Sequence, residues 1–154
     1  MGSYSKGIIS IPNVTGPVVI TVTTKGQEVN LFDQAKATYN ARLRNSGALG
    51  TGVPGIVVTE PIDIREISTL TVSGITEVSY TGLAYYACIC TYSDADAASM
   101  VHLRTYREET YLFDVASIKS ENPNSNYMRL SFVLKDNETI SESDVSNLAI
   151  SNLG

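Results

Sequence analysis

Tryptophan is absent from this 154-residue chain, histidine occurs once and cysteine twice, and each shortage removes a class of chemistry. A zinc site needs more ligands than His102 and two cysteines one residue apart supply. No Gly-x-Ser-x-Gly element accompanies His102, so a serine nucleophile at a strand-to-helix elbow is not indicated. On a strand, Cys88 and Cys90 would sit about 6.6 Å apart with parallel side chains, a poor geometry for a bridge. We read them as reduced thiols used as small core hydrophobes. No apolar run approaches the ~18 residues of a membrane span, so no membrane partner is expected. The 11 Lys and Arg are scattered among 16 acids, giving a net charge of −5. A nucleic-acid binder needs a basic face, so nucleic acid is not an expected partner either. Met1-Gly2-Ser3-Tyr4 lacks the basic-then-apolar order of a secretory signal, which is compatible with a cytosolic protein or with part of a virion.

What is present is β-sheet pattern. Leu83–Asp96, LAYYACICTYSDAD, is apolar on both alternating faces and stops at an acidic turn. A strand with no wet side belongs in the middle of a fold, with protein above and below it. Tyr127–Leu134 alternates, with Met128, Leu130, Phe132 and Leu134 on one face and Tyr127, Arg129 and Ser131 on the other, a half-buried strand. Ile8–Thr24, Ile56–Ile64, Ile67–Ser73 and Thr110–Ile118 also read as strands, with Pro61 marking an edge or a bulge. Ala97–Glu109 reads as a strand or a loop plus a strand. Glu142–Leu153 fits a short helical turn after Ser141 or a last strand. Helix is plausible only within Asn30–Asn45, where Asp33 would cap a short turn. Ser46–Gly55, with four glycines and a proline, reads as an exposed loop, either a ligand-contacting loop or a connector. Lys119–Asn126 reads as a polar turn.

Eight to ten short strands at 8–12-residue spacing with almost no helix predict an all-β, antiparallel β-sandwich or jelly roll. The chain is about one domain's worth. Residues 27–154 are expected to form the sandwich. Residues 1–26 are either one of its strands or the end of an upstream module.

Several motifs are similar to a known family. Asn30-Leu31-Phe32-Asp33, then Tyr39–Leu43 and the glycine-rich loop, resembles the opening "NLF(D/N)" and "RL…G" segment of β-sandwich modules in phage tail and fibre proteins. Pro61-Ile62-Asp63-Ile64 resembles their "I.V" step. Cys88–Asp96 resembles their central strand ending in "YDSD", with Ser93 where the pattern has Asp. Pro123–Phe132 resembles the late "P…YIRLSF" strand, and Ile9–Thr24 the "IPNVTGNITIT" strand pair. The match spans about two-thirds of the chain and consists of turn and core positions. It implies an adhesion or decoration module of a phage virion, often a homotrimer, that meets host surface polysaccharide.

The residues themselves offer candidate contacts. Tyrosine has an apolar face and a polar tip, suited to sugars and to protein interfaces. Tyr39, Tyr106 and Tyr111 fall near loops and are the ligand-binding candidates, whereas Tyr85, Tyr86, Tyr92 and Tyr127 lie on strands and read as packing. Arg104 and Arg107, near Glu108 and Glu109, would grip an acidic sugar through bidentate contacts or form a solvated strand end. Arg129 is expected to lie across the sheet and pair with a carboxylate. Asp94 and Asp96 are candidates for a Ca²⁺ site, against an ordinary turn. No cofactor is otherwise expected, and nothing favours paired carboxylates for hydrolysis. The expectation is a non-catalytic phage binding module for host carbohydrate. The alternative is a structural domain that decorates the virion or assembles the fibre by binding other virion proteins.

Overall fold

Ala87–Tyr92 contains no polar alternation, and in the computed structural model all six of its residues are buried. The structure describes residues 3–5, 8–10, 30–75, 86–135 and 137–152. In chain order these form β1 (Ser3–Ser5), β2 (Ile8–Ser10), β3 (Thr38–Tyr39), β4 (Ala41–Leu43), β5 (Leu49–Thr51), β6 (Ile56–Val58) and β7 (Ile62–Asp63). There follow β8 (Thr69–Ser73), β9 (Ala87–Tyr92), β10 (Met100–Tyr106), β11 (Leu112–Asp114), α1 (Val115–Glu121), β12 (Tyr127–Val133), a 3-10 turn at Glu142–Val145, and β13 (Ala149–Ser151).

Every described pairing is antiparallel. The main sheet has the order β10-β9-β12-β6-β3, with β7 also on β12, and a second sheet has the order β11-β8-β13. Among the described residues the fold is therefore all-β with one short helix, as the sequence predicts, and its layered sheets are compatible with a sandwich. One face of the main sheet, with Ile89, Met128, Leu130 and Phe132, shares a core with Leu70, Val72, Phe113 and Ile150 of the second sheet and with Val115 and Ile118 of α1. The opposite face, with Cys88, Cys90, Tyr92 and Val58, is covered by Ala41 and Leu43 of the β4–β5 hairpin. Protein on both sides is why β9 can be apolar throughout.

Three local expectations are corrected. Ser46–Gly55 is not an exposed loop but the turn and return strand of the β4–β5 hairpin. Its turn seats on the core, where the buried Tyr92 hydroxyl donates to the Gly47 carbonyl at 2.6 Å. The strand read through Thr110–Ile118 ends at Asp114, because the Asp114 carboxylate accepts from the Ser117 backbone N–H and starts α1. Val115 and Ile118, three apart, then lie on the buried face of that helix. Helix is accordingly absent from Asn30–Asn45, where Asp33 caps only a turn through its bonds to Ala35 and Ala37. The proposed boundary at residue 26 falls in the stretch 11–29, outside the described residues, as do residues 76–85 that lead into β9.

Pro61, which has no N–H to donate, coincides with a break between β6 and β7, both of which pair with β12. Thr59 bridges the break. Its N–H donates to the Leu130 carbonyl at 2.9 Å, and its hydroxyl oxygen accepts from the Leu130 N–H at 3.1 Å.

Two asparagines tie the C-terminal part of the domain to earlier strands. Asn40 Oδ1 accepts from the backbone N–H groups of Gly55 and Ile140, and its Nδ2 donates to the Ile140 carbonyl. Asn40 does this from φ +57°, a left-handed backbone that Asn tolerates better than most residues. Asn30 repeats the arrangement, accepting from Phe32 and Ile150 and donating to Leu148. Gly55, at φ +89°, has no room for a side chain, since a Cβ there would lie 1.9 Å from the Lys135 carbonyl oxygen.

Candidate functional site

Side chains alternate along a strand, so His102, Arg104 and Tyr106 of β10 share one face, the one turned toward β11 and α1. The end of β10 is fixed there by aromatic packing: the Tyr106 ring meets Phe113 of β11 edge to face, 5.1 Å between centroids. The chain then turns through Asp114 into α1, which runs past the same face. Between strand and helix lies an open cleft of about 360 Å³, within the ~300–1,000 Å³ range of small-molecule sites. Its far wall is Leu112, Asp114, Ser117 and Glu121.

The lining is polar and held in place. The Arg104 guanidinium lies over the Tyr106 ring, 4.9 Å from its centroid, so the ring orients the cation. That contact also means the ring face under Arg104 is not an open stacking platform. Burial raises the Tyr106 phenol above its ordinary pKa, and the nearby Arg104 charge partly offsets the rise. Both carboxylate oxygens of Asp114 are engaged by Ser117, one by the backbone N–H at 3.1 Å and one by the hydroxyl at 2.8 Å. These bonds hold its carboxyl below the usual range, which makes Asp114 a poor general acid. Lys119 turns away, donating to the Ile64 and Arg65 carbonyls at 2.8 and 3.2 Å.

The candidates read from sequence divide clearly. Arg104 and Tyr106 meet in the cleft. Arg107 is exposed in the following turn and does not line it. Tyr111 is 43 % exposed, donates to Glu109 Oε2 at 2.8 Å and stands edge-on to Tyr86. Tyr39 is on β3, at the opposite edge of the main sheet from β10. Its hydroxyl donates to the Gln34 carbonyl, and burial, then the Glu142 and Asp33 charges, raise its pKa. Tyr39 and Tyr106 therefore do not belong to one site.

Asp94 is bound into its own turn, accepting from the Ala98 and Ser99 N–H groups at 3.1 and 2.8 Å, and those bonds hold its carboxyl low. Asp96 is exposed beside it. Among the described residues no three His, Cys, Asp or Glu side chains gather as metal ligands. Arg129 departs from expectation: its guanidinium lies over the Tyr92 ring, 5.7 Å from the centroid, and no described carboxylate is within ion-pair distance. The thiols are buried and unbridged, and burial pushes Cys88 up to about 12.

No protein-family model, curated protein or solved structure matches this chain.

Asp114, Ser117 and Glu121 are cleft residues that the sequence reading passed over. A signal for them existed: Asp-x-x-Ser is a capping spacing, and Val115 with Ile118 gives the three-residue step of a helix face. His102 joins them only in three dimensions, because β10 alone does not show what stands opposite it.

Proposed function

We propose that the chain is a non-catalytic binding module whose cleft between β10 and α1 takes a carbohydrate. The observation that supports this most is the cleft itself: a cation fixed over an aromatic ring, a carboxylate, a hydroxyl and an imidazole surround one polar opening. Sugars present hydroxyls that match such mixed donors and acceptors, and a cleft of this volume suits a small ligand. Host surface polysaccharide as the source, and a phage tail or fibre as the setting, rest on the motif resemblance of the sequence. A homotrimer rests on it too.

Titrating ¹⁵N-labelled protein with a panel of oligosaccharides tests the reading. Saturable shifts confined to β10, β11 and α1 support it. An absence of shifts at millimolar sugar, or shifts only around Tyr39, would refute it. Arg104→Ala should weaken binding without lowering stability comparably.

The alternative, a virion decoration or fibre-assembly domain bound to other virion proteins, draws support from a different feature. Met100, Tyr111 and Leu112 are exposed large hydrophobics, Leu112 by 59 %, on or next to the β10 and β11 strands. Light scattering after size exclusion separates the readings in part, since a clean monomer counts against both the trimer and this alternative.

A further inference from the structure

Resting on the carbohydrate reading, we infer that the cleft selects an acidic saccharide, one bearing a carboxylate, with Arg104 as the residue that reads the charge. Among the described residues no carboxylate lies within ion-pair distance of Arg104, although two carboxylates line the same cleft. Both oxygens of Asp114 accept from Ser117 instead. Glu121, the last residue of α1, stands roughly 10 Å from Asp114 along the helix axis. Arg104 is instead oriented by a neutral ring, which holds the guanidinium without neutralising it. A guanidinium in that state keeps its fork of N–H donors for an incoming group.

The matching ligand group is planar and anionic. A carboxylate takes two parallel N–H···O bonds from a guanidinium, shorter and about twice as strong as neutral ones. A neutral sugar hydroxyl cannot use that geometry. Glu121 fits the rest of such a ligand rather than its charge: an ionised carboxylate only accepts hydrogen bonds, and sugar hydroxyls donate them. Arg104 thus offers the cleft a contact for an anion, and Glu121 one for hydroxyls. His102, on the same strand face, supplies a further donor on the Arg104 side. Arg107, outside the lining, takes no part.

Calorimetric or NMR titration with cellobiuronic acid and with cellobiose, its neutral counterpart, measures the preference. The acid should bind at least about tenfold more tightly at low salt, and the gap should narrow toward molar salt as the contact is screened. Arg104→Gln should abolish the preference and leave cellobiose binding in place, whereas Arg104→Lys should keep part of it. Because Arg104 is exposed on an edge strand, both variants should fold, which circular dichroism checks. Equal binding of the two sugars, or a preference that survives Arg104→Gln, overturns the inference and leaves the carbohydrate reading standing. If neither these disaccharides nor a wider acidic and neutral oligosaccharide panel binds, both fall.

Discussion

Replacing Asn40 tests whether its side chain, rather than the strands around it, fastens residue 140 to the sheet. Three hydrogen bonds leave with the amide: those from Gly55 and Ile140 N–H at 3.2 and 2.9 Å, and that to the Ile140 carbonyl at 3.0 Å. At a net ~0.5–1.5 kcal/mol each, their loss costs about 1.5–4.5 kcal/mol. Alanine adds a second cost, because its Cβ is disfavoured at φ +57° by roughly 1 kcal/mol, and glycine does not incur it. Asn40→Gly should therefore be more stable than Asn40→Ala by about 1 kcal/mol, with both well below the parent. Asn30 is the internal control, since it makes the same three kinds of bond and is not among the left-handed residues. There glycine should be no better than alanine. Urea midpoints at constant m-value measure all four variants. If Asn40→Ala costs under ~1 kcal/mol, or if Asn40→Gly is the worse of the Asn40 pair, the reasoning fails.

Tyr92→Phe removes the hydroxyl that donates to the Gly47 carbonyl and leaves a buried acceptor unpaired, so a loss of about 1–3 kcal/mol is expected in the same denaturation assay. Cys88 and Cys90 should resist a thiol reagent at pH 8 in the native protein and react at the rate of opening, since burial disfavours the thiolate; rapid native labelling would contradict this. Asp63, Asp94, Asp114 and Asp144 all titrate below their ordinary value, Asp63 at about 2, so the unfolded chain binds more protons than the folded one in acid. Their contribution is complete above pH ~4 to 5 and is lost as pH falls toward 2; Asp94→Asn should make the acid limb of the stability curve shallower.

How much of this was readable depended on whether the cause lay within one segment. The two-sided burial of β9 was legible because it is written in every residue of the strand. The burial of Ser131, on the face it shares with half-buried Tyr127 and Arg129, was not, since Arg129 and Ser131 read as polar and outward. Ser131 is buried because a hairpin covers that side of the sheet, and the hairpin's glycines look like a loop. The strand at Thr110–Ile118 failed for a related reason: alternation and a three-residue helical step coexist in those nine residues, and the Asp114 cap decides between them. In the cleft, strand periodicity put Arg104 on one face with His102 and Tyr106. What makes that face a site is α1, from a stretch read as strand and turn.

The asparagine clamps have a consequence for how the chain reaches this state. Asn30 bonds residues 148 and 150, and Asn40 bonds residue 140, so these contacts close spans of 100 to 120 residues. During synthesis neither asparagine meets its partners until nearly the whole described domain has left the ribosome. Until then β8 lacks β13 on one edge, and both amides must be satisfied by water. Non-local closure of this kind slows folding and leaves sheet edges open to other chains while it is pending. Strands near Asn30 and Asn40 therefore gain these clamps only late in the folding of the domain, once its last described strand is in place.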